Sequence, residues 1–98
     1  MISLDNKNRI IGISEIARGN VNSCMVCTRE IYLRALQLGA VGIIIVHNHP
    51  SGDSSLSKED EEVAEKVKNA GEILNVTLLD SIVTGKNEYT PCKEKGII

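Results

Sequence analysis

Residues 41–53, VGIIIVHNHPSGD, decide the fold of this 98-residue chain. A continuous β-branched run such as VGIIIV is typical of a strand that is buried on both faces of a sheet. The run leads straight into two histidines and a Pro-Ser-Gly-Asp turn. The sequence therefore predicts a buried strand whose carboxyl end carries His47 and His49.

Amphipathic helices are predicted on both sides of this strand. Ahead of it, Thr28 fits an N-cap, and Gly39 ends a run of apolar residues at helical spacing. That run consists of Ile31, Tyr32, Ala35, Leu36 and Leu38. After it, a helix over residues 58–70 is predicted, with Ser57 as its cap and Gly71 as its end.

The remaining segments indicate further strands. Residues 2–13 alternate around a polar cluster at 5–8 and predict a hairpin, and residues 14–26 form a second extended piece with a turn at Gly19-Asn20. A strand is expected over 76–84, with a turn at 85–87. The fold class is therefore α/β (α+β), a mixed β-sheet flanked by helices, in one domain over residues 1–98.

The amino-acid composition argues against nucleic-acid binding and membrane binding. The net charge of −2 offers no basic surface for a polyanion, and two tyrosines as the only aromatic residues provide no platform for unpaired bases. No apolar run reaches the roughly 20 residues that span a bilayer, and no secretory leader opens the chain. We therefore expect a cytoplasmic protein that contacts neither membrane nor nucleic acid.

Three cysteines, Cys24, Cys27 and Cys92, cannot all pair within one chain, which favours a reducing compartment. Cys24 and Cys27 form a C-x-x-C. In an extended segment, side chains three apart point to opposite faces, so these two thiols could not close on one ion. We interpret them as small apolar residues.

His47 and His49 form a two-point clamp for a metal ion, because residues two apart in an extended chain project to the same side. Asp60 supplies a candidate third ligand. It lies on the inward stripe of the second predicted helix, together with Val63, Ala64, Val67 and Gly71. A carboxylate facing an apolar interior is costly unless it is paired or bound to a cation. Two imidazoles and a carboxylate suit Zn²⁺ with an open fourth position.

A structural interpretation of the same residues stays open at this point. Ser57-x-x-Asp60 also fits a capping box, in which Asp60 reaches back to the start of its own helix. In that case the carboxylate would serve the helix, and the histidines would be structural.

The spacing of His47, His49, Ser57 and Asp60 resembles the JAMM signature of the JAB/MPN metallopeptidases. HNHPSGD, with TRE at 28–30 and LLDSIVTG at 78–85, resembles the RadC-like branch of that family. The resemblance implies a cytidine-deaminase-like sheet and a zinc ion on His47, His49 and Asp60. It also implies a peptide or protein substrate, a Ser57 hydroxyl that helps to position the reacting oxygen, and a nearby Glu as general base.

The alignment with that family places its catalytic Glu just ahead of the strand that starts near Ile2, so the chain is expected to lack the first part of this strand. Glu15 and Glu30 are the substitutes within the chain. RadC-like proteins are often labelled DNA repair proteins, which leaves a role associated with repair as a competing hypothesis. A non-catalytic metal-binding interaction module and a metal nuclease are two more competing hypotheses for the same residues.

Overall fold

The computed structural model describes residues 1–16 and 28–98. Within these ranges the chain forms five strands and two helices. In chain order they are β1 (Ile2–Leu4), β2 (Ile10–Ile13), α1 (Thr28–Gln37), β3 (Gly42–Asn48), α2 (Lys58–Leu74), β4 (Thr77–Gly85) and β5 (Glu88–Pro91).

The strands form one mixed sheet in the order β2-β1-β3-β4-β5. β3 and β4 pair in parallel at its centre, and α2 connects them, whereas every other pairing is antiparallel. The mixed sheet with flanking helices confirms the predicted fold class. Because β3 and β4 are parallel, their carboxyl ends lie at the same edge of the sheet, directly ahead of α2.

One apolar core joins the sheet to both helices. The Tyr32 hydroxyl of α1 donates to the Val67 carbonyl of α2 at 2.6 Å and ties the helices together. The core consists of Met1, Ile31, Tyr32, Ala35, Ala40, Ile43, Val67, Val76 and Leu78. None of the three candidate metal ligands belongs to it, so the core does not depend on the site.

The second helix is longer than the sequence predicted. It begins after the Ser57 cap as expected, but it runs through Gly71 to Leu74 and ends at Asn75, which adopts the left-handed conformation with φ of 59°. Gly71 does not end the helix, and a glycine is needed there because neighbouring atoms leave no room for a side chain. A Cβ at this position would meet the Val76 carbonyl oxygen and would lie 2.6 Å from the Tyr32 hydroxyl.

We expect Gly71→Ala to destabilise the domain by about 1–3 kcal/mol, the usual cost of an overpacked core position. Helix propensity alone predicts the opposite sign, because alanine is favoured over glycine in a helix by about 1 kcal/mol. Denaturant unfolding measures the difference. Asn69→Ala, at an exposed position of the same helix, is the matched control and should be neutral or slightly stabilising. A stabilised Gly71→Ala variant would contradict the close approach.

Other elements also differ from their predicted boundaries. Thr28 was predicted as the N-cap of α1, but it is the first residue of the helix. Only part of the predicted apolar face is buried, because Leu36 and Leu38 are 51% and 42% exposed. Gly85 ends β4 and does not lie in the turn, and β5 was not predicted. The predicted turn at Gly19-Asn20 and the pair Cys24 and Cys27 lie outside the described residues.

Candidate metal centre

The two histidines lie at the carboxyl end of β3. His47 is still within the strand, opposite Val83 of the parallel neighbour β4, and the His49 amide extends the ladder by donating to the Thr84 carbonyl at 2.8 Å. Crevices at the carboxyl ends of parallel strands are the usual ligand sites of α/β sheets. The rings of His47 and His49 meet edge to face with their centroids 5.0 Å apart.

The loop after β3 is packed closely onto the end of β4. Gly52 adopts φ of +86°, and its carbonyl accepts from the Lys86 amide at 2.8 Å. A Cβ on Gly85 would collide with the Gly52 carbonyl and would lie 2.9 Å from the Ser54 nitrogen. The Glu88 carboxylate also accepts from the Ser54 amide at 2.7 Å. These contacts fix the loop that carries His49.

Asp60 serves the helix cap and the histidine cluster at once. Its Oδ2 accepts from the Ser57 amide at 2.8 Å, and its own amide donates to the Ser57 hydroxyl at 3.1 Å, so the capping box is complete. The same carboxylate lies 3.2 Å from His47 Nδ1 through Oδ1 and 3.1 Å from His49 Nε2 through Oδ2. The sequence presented the capping box and the inward-facing ligand as two separate interpretations, and the structure shows that the capping box is compatible with contacts to both histidines.

The hydrogen bond from His49 Nδ1 to the Asp53 carbonyl, at 2.9 Å, sets the tautomer of His49. A carbonyl oxygen only accepts, so Nδ1 carries the proton, and in the neutral ring Nε2 has a lone pair. That lone pair faces the Asp60 carboxylate at 3.1 Å. Two acceptors at this distance repel unless a proton or a metal cation lies between them. A backbone carbonyl that orients a histidine in this way is typical of metal sites.

Asp60 is held in the ionised form. Burial is the largest single influence on its pKa and raises it, but the hydrogen bonds from Ser57, the charge that His49 can carry and the contact with His47 outweigh it and hold the pKa of Asp60 below its usual value. A metal ligand must be deprotonated, so this environment suits coordination at neutral pH.

The donor set fits a small divalent cation. Ligand atoms of His47, His49 and Asp60 all lie within 4.8 Å of one another, and no other group of this kind occurs in the described ranges. Bonds of about 2.0–2.2 Å in tetrahedral geometry place neighbouring donors about 3.3–3.6 Å apart. His47 lies 3.2 Å from Oδ1 of Asp60 and His49 lies 3.1 Å from Oδ2, so each histidine is near this spacing from a different oxygen of the carboxylate.

The other predicted site residues lie in different surroundings. Ser57 is the cap that holds Asp60. Glu30 lies in the first turn of α1 and accepts from Arg34 at 3.1 Å, and neither Glu30 nor the exposed Glu15 belongs to the cluster. Sequence reasoning missed Asp53 and Glu88. The Pro-Ser-Gly-Asp turn was a signal for Asp53. Glu88 contacts Ser54 across 34 residues of sequence, and no local pattern indicates such a contact.

Comparison with known proteins agrees with this geometry. A family model described as a RadC-like JAB domain matches residues 1–97. The chain belongs to this family. Curated relatives named UPF0758 protein are 41% identical in Desulfitobacterium hafniense, 44% in Clostridium botulinum and 42% in Clostridium tetani. Each alignment covers 100% of this RadC-like chain and 43% of the relative, so the chain spans less than half the length of these relatives.

Neither α1 nor α2 is long and apolar enough to cross a bilayer.

Proposed function

We propose that this RadC-like domain is a zinc-dependent hydrolase that cleaves a peptide or isopeptide bond in the cytoplasm. The observation that carries the proposal is the pair of acceptors, His49 Nε2 and the Asp60 carboxylate, held 3.1 Å apart by separate hydrogen bonds to Asp53 and Ser57. Groups fixed at this distance need a proton or a metal cation between them, and in our proposal it is a metal cation. His47 completes a donor set that matches a catalytic zinc site.

His47, His49 and Asp60 would hold the ion, and zinc so held would polarise a substrate carbonyl and lower the pKa of a bound water toward about 7. Ser57, the N-cap of α2, would also contact the substrate in this proposal. Its hydroxyl oxygen accepts from the Asp60 amide, and its proton, which also lowers the pKa of the Asp60 carboxylate, would turn to a reacting oxygen of the substrate.

One observation favours a second candidate, a metal-binding module without catalysis. Hydrolysis needs a general base within hydrogen-bond reach of the proton that it abstracts. Among the described residues, neither Glu15 nor Glu30 joins the cluster, and Glu30 is engaged by Arg34. In our proposal the base therefore comes from a segment ahead of β1.

We expect the domain to bind close to one zinc ion per chain. Three ligands with an open position bind zinc but can lose it to chelating buffers, so tag-free protein should be dialysed and then titrated with Zn²⁺. Elemental analysis and isothermal titration calorimetry measure the stoichiometry. Protein that takes up no transition metal under these conditions would refute the assignment and leave an imidazolium–carboxylate pair as the explanation of the cluster.

A further inference from the structure

A cavity of about 320 Å³ lies between the start of α2 and the C-terminal residues. Its walls come from the loop ahead of α2, the first turn of α2, β5 and the C-terminal segment: Ser55, Leu56, Glu61, Thr90, Lys95 and Ile97. Leu56 and Glu61 are the chain neighbours of Ser57 and Asp60. The cavity and the metal centre therefore share the same helix start.

The sheet register gives the separation between the two sites. His47 pairs with Val83, and Val83 pairs with Thr90. Directly paired residues project from the same face, and neighbouring strands lie about 4.8 Å apart, so Thr90 lies about 10 Å from His47 on one face. An extended peptide advances about 3.3 Å per residue. A peptide whose reacting bond lies at the metal centre would thus reach the cavity with a side chain about three residues away.

The walls combine apolar surface with an unpaired acid and base. Leu56 and Ile97 are half-buried. No ion pair joins Glu61 to Lys95 in the described structure, although both line the cavity. Glu61 is fixed on α2, where its amide donates to the Ser57 carbonyl at 3.2 Å. Lys95 is exposed near the C-terminus, and a hydrated, flexible ammonium can turn to solvent.

Carboxylates act on the chain beside the cavity. Cys92, which lies between the wall residues Thr90 and Lys95 in the chain, has its pKa raised first by burial and then by the carboxylates of Asp80, Asp60 and Glu61. A metal ion on Asp60 would leave Glu61 as the carboxylate that lines the cavity. A cationic group is therefore the better match for this surface.

We propose that this cavity binds the lysine or arginine side chain of a peptide, with its aliphatic stem on Leu56 and Ile97 and its charged head near Glu61. Long basic side chains bind in this manner, with the stem on apolar surface and the charge at the opening. The inference rests on the proposed function, because it takes the ligand to be a peptide substrate.

The test uses the full chain, with and without zinc, and two blocked peptides, acetyl-AAKAA-amide and the same peptide with norleucine in place of lysine. Amide shifts of Glu61 and Thr90 in NMR titrations report binding. The lysine peptide should bind about two- to fivefold more tightly, the range for a partly exposed charge pair. Glu61→Gln should remove this preference and Lys95→Gln should increase it. Glu62→Gln, the same charge change outside the cavity, should leave it unchanged.

Equal affinities for the two peptides, or shifts confined to residues outside the walls, would overturn the inference. An equal effect of Glu61→Gln and Glu62→Gln would also do so, because it would show only a general charge effect. A preference for the lysine peptide in a wild-type chain that takes up no zinc would support the cavity while refuting the proposed hydrolase. Zinc uptake by the wild-type chain together with equal affinities for the two peptides would refute the cavity and leave the proposed hydrolase intact.

Discussion

Replacing His49 by alanine is expected to abolish stoichiometric zinc binding while the fold stays intact. His49 provides one of three donors, and loss of a hydrogen-bond partner of a ligand typically costs 10–100-fold in metal affinity, so loss of the ligand itself should cost about 100-fold or more. The core contains no site residue, and the loop is held by backbone contacts such as that between Lys86 and Gly52. Calorimetric zinc titration and circular dichroism measure the two effects.

Asp60→Asn separates the two roles of the carboxylate. The amide oxygen of asparagine can still accept from the Ser57 amide, so the cap should survive, but a neutral amide is a poor ligand for a dication. We expect weaker zinc binding with a small change in the free energy of unfolding. Glu59→Gln, in the same helical turn but outside the cluster, is the control and should retain full affinity. An unchanged affinity of Asp60→Asn would leave Asp60 as a cap alone, and unfolding of the wild type by chelator would indicate a structural metal.

The sequence predicted elements whose pattern is local. The β-branched run before His47 predicted a strand, which forms as β3, and Ser57 three residues ahead of Asp60 predicted a helix start. Burial of β3 on both faces was also predicted, but it is incomplete, because Val46 is 43% exposed. These two elements alone bring the three ligands together, because a parallel strand delivers its carboxyl end to the next helix. The proximity of His47, His49 and Asp60 could therefore be predicted without knowledge of the rest of the sheet.

The errors came from features that depend on distant contacts. A glycine that ends a helix and a glycine that permits close approach look alike in sequence, so Gly71 was taken for the end of α2. The short strand β5 is an edge strand that contains Pro91, which weakens its pattern. Asp60 was predicted as a metal ligand with a capping box as the alternative, yet one carboxylate both completes the cap and contacts the two histidines.

An extension of β1 is expected to supply the general base. β1 pairs antiparallel with β3 so that Ile2 lies opposite Ile44 and Leu4 opposite Gly42. The same register carried ahead of Met1 places residues two and four positions upstream opposite His47 and His49, on the same face of the sheet. The ladder to β2 is already formed at Met1, whose nitrogen donates to the Ser14 carbonyl at 2.7 Å.

Adding an upstream segment with a Glu two or four positions ahead of Met1 should therefore raise zinc-dependent peptide hydrolysis by about 10²–10⁴-fold, the usual contribution of a positioned base. A Glu three positions ahead is the matched control and should give no gain, because side chains of a strand alternate between faces. Residues 1–98 alone should show weak activity or none. Strong metal-dependent hydrolysis by residues 1–98, or an equal gain from all three positions, would contradict this geometry and turn attention to Glu15 and Glu30.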